Sequence, residues 1–498
     1  MTYLLGIDIG TTNVKTVVLE AESARVLAAA DQEYPIAQPQ PGYAEQNPDD
    51  WWDAVCHTAR QALQESGVDP TAVKGIGLSG QMHGGVFLDA ENRPLRPAII
   101  WADTRSAPQV TDLMARADRA TLAQYAPGLP AAGFLGPTLM WLAAHEPETL
   151  ARTRVVLMPK DYVRLRLTGT IGTEASDAAA TWLLDVAAAD WSDWLVSYCG
   201  LERRYLPPVG QSADVAGGLL PEAAEALGLQ AGIPVAAGAA DMTAQALGYG
   251  LYEPGRALVI VGTGGQVFHS LTKPAVDPEL RYYVFNHAVP GRWYAQAAIL
   301  AAGLSLRWLR DLLGLRDRED AYDHLSALAA DVPPGAEGLI FLPYLAGERT
   351  PHMDPAASGL LLGLRLHHGP GHVARAVMEG VTFALAECLD MVADPGTAVI
   401  ASGGATKSPV WRAILSDTFE RPLMLSHGAH HGCVGAALLG GIAAGLYADF
   451  ADATGRLPQP EVAVTPDAAH AAFYRERRAL FRGMYDKLRD DMHALAGR

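Results

Sequence analysis

The first twenty residues hold one acid and a Gly-Thr-Thr turn at a spacing that suits phosphate chemistry. Asp8 interrupts an apolar run, and Gly10 begins the turn before a second apolar run. An unpaired carboxylate in a buried strand is costly, whereas Mg²⁺ is usually held by one or two carboxylates plus substrate phosphates. The pattern predicts a phosphate-binding hairpin with Asp8 as the magnesium ligand, an ordinary edge hairpin being the alternative. The nucleotide-binding residues expected here are Thr11, Thr12 and Lys15.

A second Gly-Thr turn lies between apolar runs in Arg256 to Phe268. Two such hairpins directed into one cleft can bind the phosphates of one nucleotide from both sides. The sequence therefore predicts that Thr263 and Gly264 also contact nucleotide phosphates.

Polar side chains follow two predicted strands near residues 73–78 and 97–100. The first strand leads to Gln81 and His83, and the second leads to Asp103 and Arg105. Several donors and acceptors at strand ends suit a polyol or sugar. A lone histidine is more often structural. His83 lies between Met82 and a glycine pair, so it does not belong to an apolar face of a helix or strand, and a ligand-binding role is favoured.

Asp241 follows an apolar strand and small residues, at the predicted start of a helix. One interpretation is an N-cap aspartate. The other is a general base that accepts the proton of an alcohol, as in kinases. The small neighbours leave room for a substrate, and we expect the helix N-terminus to keep the carboxylate ionised. One residue can do both.

Other polar residues receive structural interpretations. We expect Asp177 and Asp185 to be helix caps or surface acids, and Glu348 with Arg349 to form a loop ion pair. The histidine group at 427, 430 and 431 suggests a metal site, but no acid or cysteine other than Cys433 lies at ligand spacing from it, and we do not expect a metal there.

Composition excludes several classes of protein. The chain has 498 residues, with 55 acidic and 38 basic side chains and a formal charge of −17, which disfavours nucleic acid or an anionic membrane as the main partner. The four cysteines form no CxxC motif. No apolar run reaches the roughly 20 residues of a membrane span, and no leader precedes the first strand. We expect a soluble cytoplasmic protein, and a homodimer is compatible with the sequence.

The two halves of the chain carry similar devices. Thr397 to Ala405 echoes Val73 to Gln81, each an apolar strand followed by Ser-Gly and a polar turn. This predicts two similar α/β domains facing one another, which we place at 1–246 and 247–498. Helices are expected near 107–124, 138–151, 159–167, 221–228 and 468–495.

The motifs resemble those of the FGGY carbohydrate kinases over about residues 3–447. Gly359 to Leu364, His372-Val373 and Ala376 to Glu379 fit the family's C-terminal signature. The Gln81 to Gly84 loop is similar to the form found in ketopentose kinases, whereas glycerol kinases carry a charged Arg-Glu pair there. The resemblance implies an α/β fold of two actin-like (RNase H-like) domains flanking a deep cleft, with the sugar in the cleft and ATP mostly on the C-terminal domain.

The resemblance also implies an activity, which is ATP- and Mg²⁺-dependent phosphorylation of the terminal hydroxyl of a ketopentose, D-xylulose first. Ribulose, erythritol and glycerol are alternative acceptors, and an actin- or Hsp70-like ATPase is an alternative of another class. The residues it implies are Asp241 as catalytic base, Asp8 in the Mg-phosphate site, Met82, His83 and Asp103 at the sugar, Thr263 and Gly264 at the ATP phosphates, and Gly404 and Ala405 near the adenosine. One departure is the turn Gly-Thr-Gly-Gly-Gln at 262–266, where many relatives have Gly-Thr-Ser-Gly.

Overall fold

Two mixed sheets of seven strands each organise the chain in the computed structural model, which describes residues 1–426 and 428–497. The elements of the first half are β1 Tyr3–Ile9, β2 Asn13–Glu20, β3 Arg25–Glu33, β4 Glu45–Gln46, α1 Pro48–Ser66, β5 Val73–Gly80, β6 Val86–Leu88, β7 Ala98–Ile99, α2 Ala107–Arg116, α3 Arg119–Leu122, α4 Leu135–His145, α5 Pro147–Arg152 and β8 Val155–Leu157. They continue with α6 Pro159–Thr168, β9 Thr173–Glu174, α7 Ala175–Ala179, β10 Leu184–Asp185, β11 Asp190–Trp191, α8 Asp193–Tyr198, β12 Val209–Gly210, β13 Val215–Gly218, α9 Pro221–Leu227, β14 Pro234–Ala236, β15 Ala239–Ala240 and α10 Asp241–Gly248.

The first sheet has the order β13-β14-β5-β1-β2-β3, and the short strand β15 pairs with the last residues of β5. The predicted opening hairpin is confirmed, because β1 and β2 pair antiparallel with Asp8 opposite Lys15. Its turn is closed by the N–H of Gly10, which donates to Asn13 O at 3.0 Å. β1 and β5 run parallel, so the polar residues after both strands reach the same edge of the sheet.

The strands predicted at 86–95 and 97–100 form, the second of them shorter than predicted. The expected hairpin at 86–95 is confirmed, because Leu88 and Pro94 form an antiparallel bridge, Asp89 N donates to Arg93 O at 3.0 Å and Leu95 N donates to Phe87 O at 2.8 Å. β6 also pairs with β8. The run at 97–100 forms only β7, which pairs with β4 outside the main sheet. The predicted helical segments are confirmed, the first as two helices, α2 and α3, and the second as two helices, α4 and α5.

The second half repeats the arrangement, with sheet order β18-β19-β17-β16-β22-β23-β24. Its elements are β16 Arg256–Val261, β17 Gly265–Leu271, β18 Tyr283–Asn286, β19 Trp293–Ile299, α11 Gly303–Leu312, α12 Ala321–Ala330, β20 Ile340–Leu342, β21 Leu360–Leu362, α13 Pro370–Val392, β22 Ala398–Gly403, α14 Pro409–Phe419, β23 Leu423–Leu425, α15 His431–Ala443, α16 Phe450–Thr454, β24 Glu461–Val464 and α17 Ala468–Leu495. The second Gly-Thr hairpin is confirmed as β16 and β17. The C-terminal helix has the predicted bounds.

Helix α15 belongs to the second half in sequence but packs on β1 and β5 of the first sheet. Glycines make this close approach possible, since a Cβ on Gly6 would lie 1.9 Å from Cys433 O and one on Gly77 would lie 1.7 Å from Ala436 O. α15 also crosses α10, where a Cβ on Gly435 would lie 1.8 Å from Ala244 O. These two helices therefore join the two halves of the chain. The predicted domain boundary at 246/247 stays a prediction.

Candidate active site

Asp8 lies at the end of β1, on the floor of a cavity of about 410 Å³ between the two halves. Ser79 Oγ, at the end of β5, donates to Asp8 Oδ1 at 2.8 Å. Burial raises the pKa of Asp8, and the hydrogen bond from Ser79 and the charge of Lys15 oppose that rise. A Cβ on Gly432 would lie 3.2 Å from Asp8 Oδ2, so the glycine leaves this oxygen accessible. The carboxylate and Lys15 thus form a charged cavity floor able to bind a cation and phosphates.

Residues of the second half close the same cavity. Ser402 and Thr406 line it from the end of β22, and His430 and His431 line it from the start of α15. His431 Nδ1 lies 3.2 Å from Gly248 O and its ring stacks on Tyr249 at 3.8 Å. The third histidine of the suggested metal group, His427, lies outside the described residues.

Asp241 is the first residue of α10, and the N-cap position belongs to Ala240. The N-cap interpretation is therefore wrong, although the backbone N–H of Met242 does donate to Asp241 Oδ1 at 2.6 Å. Burial is the main cause that raises the pKa of Asp241 to about 7, and the charge of Asp8 adds to it. The expectation that the helix N-terminus keeps this group fully ionised is thus wrong, because desolvation outweighs the helix dipole. A carboxyl group with this pKa can exchange protons at neutral pH.

A buried charged cluster supports the start of α10. Lys160 Nζ lies 2.7 Å from Asp161, 3.3 Å from Glu174 and 3.3 Å from Asp177, and all four side chains are inaccessible to solvent. Burial raises the pKa of Asp177 well above its ordinary value. The prediction of Asp177 as a cap or surface acid is wrong, and Asp185 fits it, since its carboxylate accepts from Ala187 N at 2.9 Å.

Ser176 connects this cluster to Asp241. Its Oγ donates to Glu174 Oε1 at 3.0 Å and accepts the N–H of Ala240 at 3.0 Å. The backbone of Ala240, the residue before Asp241, is thereby held in position by Ser176. Sequence reasoning missed this support, although the adjacent Lys160 and Asp161 at the start of α6, directly after the apolar strand β8, were an available signal.

A second cavity, of about 350 Å³, brings together three of the predicted nucleotide-binding residues. Thr263 from the second hairpin and Gly404 and Ala405 after β22 line it, with Trp411 on the apolar side. Gly264 is not among its lining residues; a Cβ there would lie 2.9 Å from Ile299 O. Backbone N–H groups of Ala302 and Leu304 both donate to Thr263 O at 3.0 Å, so the hairpin is anchored to α11. The first hairpin and this cavity come from opposite halves.

Thr11 and Thr12 of the first hairpin differ in their hydrogen bonding and exposure. Trp101 Nε1 donates to Thr11 Oγ1 at 2.8 Å, so Thr11 links the hairpin to the segment that follows β7. Thr12 is exposed. Lys15 lines the central cavity with Asp8.

The predicted sugar-binding residues lie in three different environments. Met82 and Gln81 are buried, with Gln81 Nε2 donating to Gln46 Oε1 at 2.8 Å. Asp103 is buried, and its Oδ2 accepts from Ala44 N at 2.6 Å and from Arg105 Nη2 at 2.7 Å. His83 lines a small cavity. Of this set, His83 is the member that lines this cavity.

The Glu348–Arg349 ion pair does not form. Glu348 is buried, and its Oε1 accepts the N–H groups of Leu300 at 3.0 Å and Arg349 at 2.7 Å, whereas its Oε2 has no hydrogen-bond partner among the described residues. Burial raises the pKa of Glu348 to about 8, and the positive charge of Arg349 opposes that rise. The loop prediction is wrong because backbone N–H groups, not the guanidinium of Arg349, donate to this carboxyl group.

The chain has two actin-like domains around a cleft, with two Gly-Thr hairpins and an aspartate between them. This arrangement is typical of a phosphotransferase. The FGGY family of carbohydrate kinases matches this chain through its N-terminal domain at residues 3–248 and its C-terminal domain at 257–444. The chain therefore belongs to the FGGY family and is a carbohydrate kinase, which uses ATP and a divalent cation.

Similar proteins cover almost the whole chain. The xylulose kinase of Escherichia coli (strain K12) is 39% identical over 97% of this chain and 99% of that protein. The xylulose kinase of Bacillus subtilis (strain 168) is 34% identical over 98% of both. The crystal structure of xylulose kinase from Rhodospirillum rubrum superposes with a TM-score of 0.91 and 32% identity over 99% of this chain and 100% of that chain. Among the described residues, we find no helix with the length and apolar character to cross a membrane.

Proposed function

We propose that the enzyme transfers the γ-phosphoryl group of Mg·ATP to the terminal hydroxyl of a ketopentose, D-xylulose first. The observation that carries the proposal is Asp241 at the start of α10, which lies close enough to Asp8 for the charge of Asp8 to act on it, and whose pKa burial raises to about 7. The full-length similarity to xylulose kinases supports D-xylulose as the acceptor.

In this proposal Asp241 accepts the proton of the acceptor hydroxyl as its oxygen attacks the γ-phosphorus. Ser176 and Glu174, through Ala240 N, hold the start of α10 so that the carboxylate keeps its position. Thr12 and Lys15 from one hairpin and Thr263 from the other stabilise charge on the phosphoryl oxygens.

The residues present fit a magnesium ion at Asp8. Its Oδ2 is free of the Ser79 bond, the neighbouring Gly432 has no side chain, and the donor is a hard oxygen as Mg²⁺ prefers. When bound, the ion neutralises phosphate charge. We further propose that Gly404 and Ala405 hold the nucleoside part of ATP in the 350 Å³ cavity, with Thr263 at its phosphate end.

The test is a panel of acceptors with coupled detection of ADP. D-xylulose should give the highest kcat/KM, followed by D-ribulose, with erythritol, glycerol and D-gluconate far lower. A higher kcat/KM for another acceptor would replace D-xylulose but keep the kinase chemistry. ATP turnover that does not rise with any sugar would instead favour an actin- or Hsp70-like ATPase. We propose a cytoplasmic location, where ATP is available, and a homodimer is to be tested by light scattering.

A further inference from the structure

A small cavity of about 60 Å³ lies between the halves, beside His83. From the first half it is lined by His83, Trp101 and Phe134, and from the second half by Tyr283 and Arg349. Asp241 is not among its lining residues. A ligand that reaches this cavity from the catalytic carboxylate therefore contacts both halves of the protein.

The hydrogen bonding of His83 fixes its tautomer. Nδ1 lies 2.5 Å from Ala180 O, and because a carbonyl can only accept, Nδ1 carries the proton. Burial, the main cause, lowers the pKa of His83 to about 4, so the ring is neutral at pH 7. The ring stacks on Phe134 with centroids 4.0 Å apart. Nε2 is therefore a fixed atom that can only accept a hydrogen bond.

Arg349 supplies hydrogen-bond donors, whereas His83 Nε2 supplies an acceptor. Its guanidinium makes no hydrogen bond or ion pair within residues 1–426 and 428–497, and a guanidinium can only donate. Its positive charge adds to the lowering of the His83 pKa and opposes the rise that burial causes in the Tyr283 pKa, so it lies close to both. Its backbone is held by Glu348 Oε1 on one side and by the bond from Thr350 N to Ala298 O, 3.0 Å, on the other.

The acceptor of the proposed function matches this pair. A 2-ketopentose closes its furanose ring through the C5 oxygen, so transfer to that oxygen requires the open chain. The open chain ends in a C2 carbonyl next to a C1 hydroxyl, at the end remote from the reacting oxygen. The carbonyl needs a donor and the hydroxyl can use an acceptor.

We propose that Arg349 determines specificity for ketoses: its guanidinium donates to the C2 carbonyl while His83 Nε2 accepts from the C1 hydroxyl. The inference rests on the proposed function. Arg349 is thus an acceptor-binding residue contributed by the C-terminal half, and Glu348 holds its backbone.

The test compares D-xylulose with xylitol, in which the C2 carbonyl is replaced by an alcohol, in wild type, Arg349→Met and Arg349→Lys. The ratio of kcat/KM for D-xylulose to that for xylitol should fall about tenfold or more in Arg349→Met, since a hydrogen bond from a charged donor is lost. The loss should appear in the KM for D-xylulose, while the KM for ATP changes by less than about twofold. Arg349→Lys should recover part of the ratio, because it keeps a cationic donor.

Arg365→Met is the matched control, because Arg365 is an exposed arginine whose backbone N–H, and not its guanidinium, donates to His368 Nδ1 at 3.0 Å. Its ratio should equal that of wild type. Calorimetric titration of D-xylulose without ATP gives a second measurement, with Kd raised about tenfold or more in Arg349→Met. An unchanged ratio and an unchanged Kd in Arg349→Met would overturn the inference. Failure of the proposed function shows separately, as wild type that does not phosphorylate D-xylulose, and the same ratio is then measured with D-ribulose and ribitol.

Discussion

Asp8 and Asp241 lie close enough in the cleft for the charge of Asp8 to raise the pKa of Asp241. Burial is the larger cause, and together they bring that pKa to about 7. The proposed metal ligand therefore acts on the proposed base. A cation that neutralises Asp8 removes the repulsion and favours the ionised base.

The first prediction concerns the pH dependence of phosphoryl transfer. Because the base must be ionised, kcat/KM for the acceptor should fall about tenfold per pH unit on the acidic side of a pKa near 7 at low Mg²⁺. Raising Mg²⁺ should move the profile to lower pH, since the ion offsets the charge of Asp8. Initial rates over a pH series at two Mg²⁺ concentrations test this, and a flat profile from about pH 5 to about pH 8 would remove Asp241 as the base.

The second prediction is that Asp241→Asn separates activity from stability. kcat should fall about 10²–10⁴-fold, with binding of the sugar still measurable by calorimetry. The folded-state pKa is raised above the ordinary 3.8, so ionisation of Asp241 costs stability, and this cost appears as pH rises from about 4 through about 7. The variant should therefore be more thermostable than wild type at pH 8, by at most about 4 kcal/mol, and not at pH 4. Retained activity would contradict the assignment.

The third prediction tests Asp8. Asp8→Asn should raise the Mg²⁺ concentration for half-maximal rate about tenfold or more, because a neutral amide is a weaker ligand than a carboxylate. Asp31→Asn is the matched control. Asp31 is exposed and lies on β3, where it pairs with Lys15 of β2, just as Asp8 pairs with Lys15 from β1. Equal Mg²⁺ dependence in the two variants would place the metal elsewhere.

The parts of the fold that follow from local pattern were predictable. Apolar runs on either side of Gly-Thr turns predicted the two hairpins, which the structure forms as β1 with β2 and β16 with β17. The pairing of β6 with β8 was not predictable, because it joins residues about 70 positions apart. Sequence pattern gives the type of an element more readily than its partner.

Sequence pattern pointed to site residues at or near the ends of apolar strands. Asp8 lies one residue before the end of β1, His83 lies in the loop after β5 and Asp241 follows β15, and strand ends of this kind are where α/β folds commonly bind ligands. Asp177 and Glu348 were misread because burial of an acid depends on tertiary partners: Lys160 for the first, and Leu300 N for the second. Their raised pKa values follow from that burial.

The fourth prediction concerns the buried cluster under α10. Lys160→Met should destabilise the protein by about 3–5 kcal/mol, because buried carboxylates at Asp161 and Glu174 lose their cation. Asp177→Asn should cost less than about 1 kcal/mol, since the raised pKa of Asp177 already favours its neutral form. Thermal midpoints of both variants check the order, and an equal or larger loss in Asp177→Asn would show that Asp177 is ionised in the folded protein.

The fifth prediction tests whether close packing of α15 on the first sheet holds the halves together. Gly77→Ala places a methyl group 1.7 Å from Ala436 O, so the helix must move away from β5. We expect a loss of about 3 kcal/mol or more, together with lower kcat, because α15 also lines the cleft at His431 and Gly432. Gly483→Ala is the control, since Gly483 lies in α17 with no atom nearer than 3.9 Å to an added Cβ. That variant should gain up to about 1 kcal/mol from helix propensity. Equal thermal midpoints for the two variants would mean that α15 can shift on the sheet without cost, and the cleft would then have to be held by other contacts.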